Sequence, residues 1–202
     1  MSQEKAKADN LYDISTLREP YRAEGKKTMA LEIALDLGWK TPDVIIYPTG
    51  GGTGIVGMWK AFNELLELGW IDGPQPRFIS IQAEGCQPLV KAFNEGATQT
   101  TPYPNATTLA SGLRVPSVFA DYLLLDIIRK TKGTAMAVSD LDMLNDMVEL
   151  GSSEGIFACP EGAATLTGLK ALLDQNFFSG EENIVLMNTA TGLKYLDIFK
   201  DS

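Results

Sequence analysis

Four glycines and a threonine, Gly50-Gly51-Gly52-Thr53-Gly54, stand between an apolar run, Ile45-Ile46-Tyr47, and a stretch of helical periodicity that begins at Ile55. Glycines let backbone N–H groups approach an anion closely, and a helix start directly behind them adds the positive end of its dipole. The chemistry implied is phosphate binding. A nucleoside-triphosphate loop needs Gly-Lys-Ser/Thr at its end, whereas Gly54 is followed by Ile55, so that reading fails. Gly52, Gly54 and Gly57 do spell GxGxxG, and Glu84 closes the next apolar run where a dinucleotide-binding protein places its ribose-binding acid. Against the dinucleotide, the extra Gly50 and Gly51 and the hydroxyl of Thr53 suit a cup around one terminal phosphate. At this level an NAD-binding oxidoreductase domain and a single-phosphate binder both stand.

The elements that would position such a cup alternate between helical and strand-like patterns, which predicts an α/β fold with a mostly parallel sheet and helices on both faces. Helices are predicted over Lys27–Leu37, Ile55–Leu68, Phe119–Lys130, from Ser139 to about Gly151, and over Ala163–Leu173; Ser139 with Asp142 three residues on forms the cap of the fourth. Buried strands are predicted at Asp43–Tyr47, Phe78–Gln82, Thr134–Val138 and Ile184–Met187, the last leading into Asn188-Thr189. Gly96–Pro116, rich in Thr, Pro and Gly, reads as a surface or cleft-lining loop. No repeat or linker divides the chain: residues 1–10 read as a polar extension and 11–202 as one cofactor-binding domain.

Composition narrows the functional classes. The 202 residues are 45% apolar, enough for a real core, and carry 17 basic against 26 acidic side chains, a net charge of −9 that disfavours nucleic acid and anionic membranes as main partners. Histidine is absent, which removes His-based triads, and no metal-ligand cluster is expected. Cys86 and Cys159 form neither a CxxC motif nor a disulfide framework, and no apolar run reaches the ~20 residues of a membrane span, so a cytoplasmic setting is expected.

Longer motifs carry a family resemblance. Tyr47-Pro48-Thr49-Gly50-Gly51-Gly52-Thr53-Gly54 with Gly57-Met58-Trp59-Lys60-Ala61-Phe62 resembles threonine synthase, a pyridoxal-phosphate lyase of the tryptophan synthase β-like fold. Glu19-Pro20-Tyr21-Arg22, Glu24-Gly25-Lys26-Lys27-Thr28, Gln82-Ala83-Glu84-Gly85-Cys86, Gly112-Leu113-Arg114-Val115-Pro116, Pro160-Glu161-Gly162-Ala163-Ala164 and Asn188-Thr189 with Gly192-Leu193-Lys194-Tyr195 agree with it in order, from Leu11 onward.

The resemblance implies a small-molecule substrate, O-phosphohomoserine, converted with water to threonine and phosphate. It implies that Gly50, Gly51, Gly52, Thr53 and Gly54 hold the phosphate of pyridoxal 5′-phosphate, that the Thr189 hydroxyl meets the pyridine nitrogen, and that Arg22 grips the substrate phosphate. Ala190 departs from it, standing where the family usually has glycine. The family's Schiff-base lysine lies in an N-terminal half that this sequence does not resemble, so no catalytic residue is assigned. The chain alone is expected to be inactive and to associate with itself or with a lysine-bearing partner half. The plainer readings are that Lys26, Lys27 and Lys194 are solvated charges, that Trp59 and Phe62 are core, that Cys86 is a packed thiol, and that Glu84, Glu154 and Glu161 cap helix starts.

Overall fold

The computed structural model describes residues 11, 12, 14 and 17–199; the polar extension 1–10 lies outside the described residues. The elements run α1 (Tyr21–Asp36), β1 (Val44–Pro48), α2 (Thr53–Glu67), β2 (Arg77–Ala83), α3 (Pro88–Asn94), α4 (Asp121–Lys130), β3 (Ala135–Val138), α5 (Asp140–Ser153), α6 (Pro160–Asp174) and β4 (Ile184–Leu186). Short 3₁₀ turns occupy Ser111–Leu113 and Gly192–Phe199, the second kinked at Tyr195.

The four strands form one sheet in the order β3-β2-β1-β4, every pairing parallel. Register follows the side-chain period of two. Ile45, Tyr47 and Phe78 face a core shared with α1, α2, α3 and α4, while Val44, Ile46, Ile79 and Ile81 face a second core under α5 and α6. Phe62 and Phe78 are fully buried, each contributing about 2–3 kcal/mol by burial. Trp59 packs half-buried against the same core, as its helical spacing with Phe62 predicts.

Several local expectations are corrected. α1 begins six residues earlier than Lys27, because the buried carboxylate of Glu19 accepts hydrogen bonds from the Tyr21 and Arg22 amides at 2.6 and 3.1 Å and starts the helix there. Arg22 therefore lies in the first turn of α1. Helix α3 went unread in the sequence, being only seven residues long; the Gln82 carboxamide oxygen fixes it by accepting from the Leu89 and Val90 amides at 2.9 and 3.2 Å. β4 is half-exposed where a buried strand was expected, because it sits at the sheet edge and pairs only with β1. The Ser139 cap forms as read, with the Asp142 amide donating to Ser139 Oγ at 3.1 Å.

Candidate functional site

Strand order reverses at β1, since β2 and β3 follow on one side and β4 lies on the other. Parallel sheets leave a crevice beyond the carboxyl ends of the strands at such a point, and both critical loops leave from it. β1 runs into Thr49 and the glycine turn, and β4 runs into Asn188-Thr189, the Met187 amide still bonded to the Ile46 carbonyl at 3.1 Å. A cleft of about 410 Å³ opens there, lined by Gly50 to Gly54, Arg22, Thr189 and Ala190, and by Lys26, Tyr47, Ser111, Gly112, Leu113, Glu161, Lys194 and Tyr195. Every cofactor- and substrate-site residue expected from the sequence is therefore on one cleft.

The glycine turn is built for close approach. Gly52 adopts φ 76°, and a Cβ on it would lie 2.2 Å from Leu124 of α4. A Cβ on Gly50 would lie 2.3 Å from the Gly112 carbonyl oxygen, and one on Gly54 would overlap the Tyr47 ring. Three of the glycines are thus required by protein packing, each against a different neighbour. The Gly52 carbonyl accepts from Val56 and opens α2, yet among the described residues the amides of Gly50 through Ile55 have no recorded acceptor and α2 has no side-chain cap. Unsatisfied N–H groups at a helix start that borders a cavity fit a phosphate. A phosphate-bearing pyridine cofactor suits this donor set, with Thr189 lining the same cleft.

On the same cleft, Glu161 is buried and accepts from the Gly112 amide at 2.7 Å and from the Tyr195 hydroxyl. Tyr195 Oη is 2.7 Å from Ser111 Oγ. Burial, with Glu161 adding to it, pushes the Tyr195 phenol above its ordinary value. The expectation that Glu161 caps a helix start is corrected: it ties two loops together across the cleft, and the cap of α6 is the Cys159 thiol, which accepts from the Gly162 amide at 3.3 Å. Burial pushes the Cys159 thiol up, and likewise that of Cys86, which is packed as read. Ala190 takes no left-handed backbone conformation, and its carbonyl accepts from the Cys159 amide at 3.0 Å, so its methyl is accommodated without backbone strain.

Sequence reasoning missed Tyr195 and Ser111, and undervalued Lys26 and Lys194. The signal available was spacing: Lys26 follows Arg22 by four residues and so shares its helical face, whereas Lys27 turns away into ion pairs with Glu24 and Glu64 at 2.7 and 2.8 Å. Glu84 is not among the residues lining the cleft, which removes the acid that the dinucleotide reading required.

The fold and the site define a phosphate-cofactor domain of the parallel α/β class. More particularly, the chain belongs to the pyridoxal-phosphate dependent enzymes, whose family model matches residues 1–190. It is similar to the threonine synthase of Methanocaldococcus jannaschii, 37% identical over 194 residues that make up 96% of this chain and 47% of that protein. The threonine synthase of Methanosarcina acetivorans is likewise 37% identical over 193 residues, 96% of this chain and 46% of the relative. The chain thus spans about half the length of these curated relatives. In fold it is similar to threonine deaminase isoform 2 of Solanum lycopersicum, with a TM-score of 0.74 at 18% identity over 98% of this chain and 55% of that one. Maize serine racemase matches with a TM-score of 0.68 at 20% identity, covering 100% of this chain and 60% of the other. Family membership replaces the NAD-dependent alternative.

Proposed function

We propose that the chain is the cofactor-phosphate domain of a threonine synthase-type lyase, acting in the cytoplasm on O-phosphohomoserine and water to give threonine and phosphate. The observation that carries this reading is the meeting of the open glycine turn, Arg22 and Thr189 on one cleft at the point where strand order reverses. Gly50 to Gly54 hold the cofactor phosphate through their free amides. Thr189 offers a hydroxyl to the ring nitrogen; a hydroxyl there leaves that nitrogen unprotonated, tempering its pull on electrons. When bound, pyridoxal phosphate supplies the electron sink for breaking bonds next to the substrate amino group. Arg22, on the first turn of α1, binds the substrate phosphate, and Lys26 one turn on adds positive charge to the same wall. Residues 11–202 act as one unit in this reading.

None of the lysines lies in a segment resembling the family's covalent anchor, so the chain alone is expected to release no phosphate from O-phosphohomoserine, and turnover requires a lysine-bearing segment. Two measurements test the reading. The chain mixed with pyridoxal phosphate should show a bound near-visible band after gel filtration, and phosphate release should appear only on adding a complementing lysine-bearing half. Loss of all cofactor on filtration, or turnover by the chain alone at a rate comparable to a complete enzyme, contradicts it.

A further inference from the structure

Glu161, Tyr195 and Ser111 come from three separate parts of the chain and meet on the cleft that the glycine turn also lines. The buried Glu161 carboxylate accepts at Oε1 from the Gly112 amide, 2.7 Å away, and from the Tyr195 hydroxyl. Gly112 is what permits the first contact, because a Cβ there would lie 2.8 Å from Glu161 Oε1. A carboxylate has no proton to give, so the single phenolic proton of Tyr195 is committed to Glu161. The Tyr195 oxygen, 2.7 Å from Ser111 Oγ, can then only accept, and the Ser111 proton is committed in turn. Ser111 is exposed in the cleft, and its oxygen has only lone pairs left to offer.

We propose that this relay fixes Ser111 as a hydrogen-bond acceptor toward the cleft, so that its wall selects ligands presenting an N–H or O–H donor, specifically the ammonium group of an amino acid. The proposal rests on the reading of the cleft as a site for a phosphorylated amino acid and gives that ligand an orientation, its anion toward Arg22 and its donor toward Ser111. Directional chains of this kind strengthen when one end is a buried charge. Burial and Glu161 both keep the Tyr195 phenol protonated at neutral pH, so the direction of the relay is stable. Tyr195 and Glu161 act as positioning residues; Ser111 alone touches the ligand.

The contact between Ser111 and Tyr195 can be read without any ligand. In a chain carrying ¹³C-tyrosine, with Tyr195→Phe used to assign the signal, the Tyr195 titration midpoint should rise in Ser111→Ala, because a donor to the phenolate oxygen is lost. Glu161→Gln should lower it by removing a facing negative charge; Cys159 is the other titratable group facing Tyr195. A midpoint that falls or stays in place in Ser111→Ala overturns the relay, since the relay requires the Ser111 hydroxyl to donate to the Tyr195 oxygen. The recognition half is tested by calorimetry with O-phospho-L-homoserine and its analogue lacking the amino group. The parent chain should prefer the amino compound by about tenfold, the scale of one hydrogen bond to a charged group, and Ser111→Ala should lose that preference. A preference unchanged in Ser111→Ala overturns the recognition claim. Binding of neither compound contradicts the substrate reading itself, while the Tyr195 midpoint still decides the relay.

Discussion

At the residue scale, a Cβ on Gly50, Gly52 or Gly54 would meet protein atoms, whereas Gly51 is proposed to serve the ligand. Gly52→Val would force a β-branched residue into φ 76° and into Leu124, so a loss of about 3 kcal/mol or more is expected in chemical denaturation. Gly51→Val should instead leave the denaturation midpoint near that of the parent while weakening pyridoxal-phosphate binding by tenfold or more. Equal stability loss in both variants would contradict that division. Arg22 and Thr189 should separate by kinetics in the reconstituted enzyme. Arg22 is exposed on α1, so its charge is partly screened, and Arg22→Ala should raise KM by a factor corresponding to about 1–2 kcal/mol with kcat nearly kept. Thr189→Val should lower kcat and shift the cofactor absorbance with KM nearly kept. If both variants behave as the parent, the assigned roles are wrong.

At the element scale, the parallel sheet and most of its helices were legible because each core face repeats with period two or 3.6, as Ile45 and Tyr47 against Val44 and Ile46 show. The glycine turn was legible as a close-approach turn between a strand and a helix, but not that packing against Gly112, Leu124 and Tyr47 accounts for three of its glycines. What escaped was set by tertiary partners. The start of α1 depends on the buried Glu19 carboxylate, α3 on Gln82 reaching across from β2, and the exposure of β4 on its place at the sheet edge. The Glu161–Tyr195–Ser111 contact joins residues up to 84 positions apart, and no local pattern announces such a pairing. The turn before β4 carries a pH dependence of its own. Glu182 accepts from the Ser179 amide and hydroxyl and from the Gly180 amide, which hold its carboxyl down to about 2 from an ordinary 4.5. Its folded value lies below the unfolded one, so its stabilising contribution is complete above pH 4.5 and is lost as pH falls from there toward 2. Glu182→Gln should therefore flatten the acid-unfolding curve across that window, and a curve of unchanged shape would contradict this.

At the scale of the whole molecule, the chain spans about half the length of its curated relatives, and a surface that a partner or a second copy covers is expected on it. Leu193 and Leu196 are 63% and 50% exposed beside the cleft mouth, and β4 offers a half-exposed edge to further pairing. Self-association is expected, and light scattering should report a dimer or larger species at micromolar concentration; a clean monomer would argue for an independent small domain. Among the described residues no helix is long and apolar enough to cross a membrane. The central claim is that the open amides of the glycine turn bind the cofactor phosphate. The direct measurement is an amide ¹⁵N NMR titration of the chain with pyridoxal phosphate. The predicted result is saturable shifts centred on Gly51 to Gly54 and extending to Thr189, reproduced at the turn alone by inorganic phosphate. Shifts confined to other surfaces, or none at the turn under saturating cofactor, would contradict it.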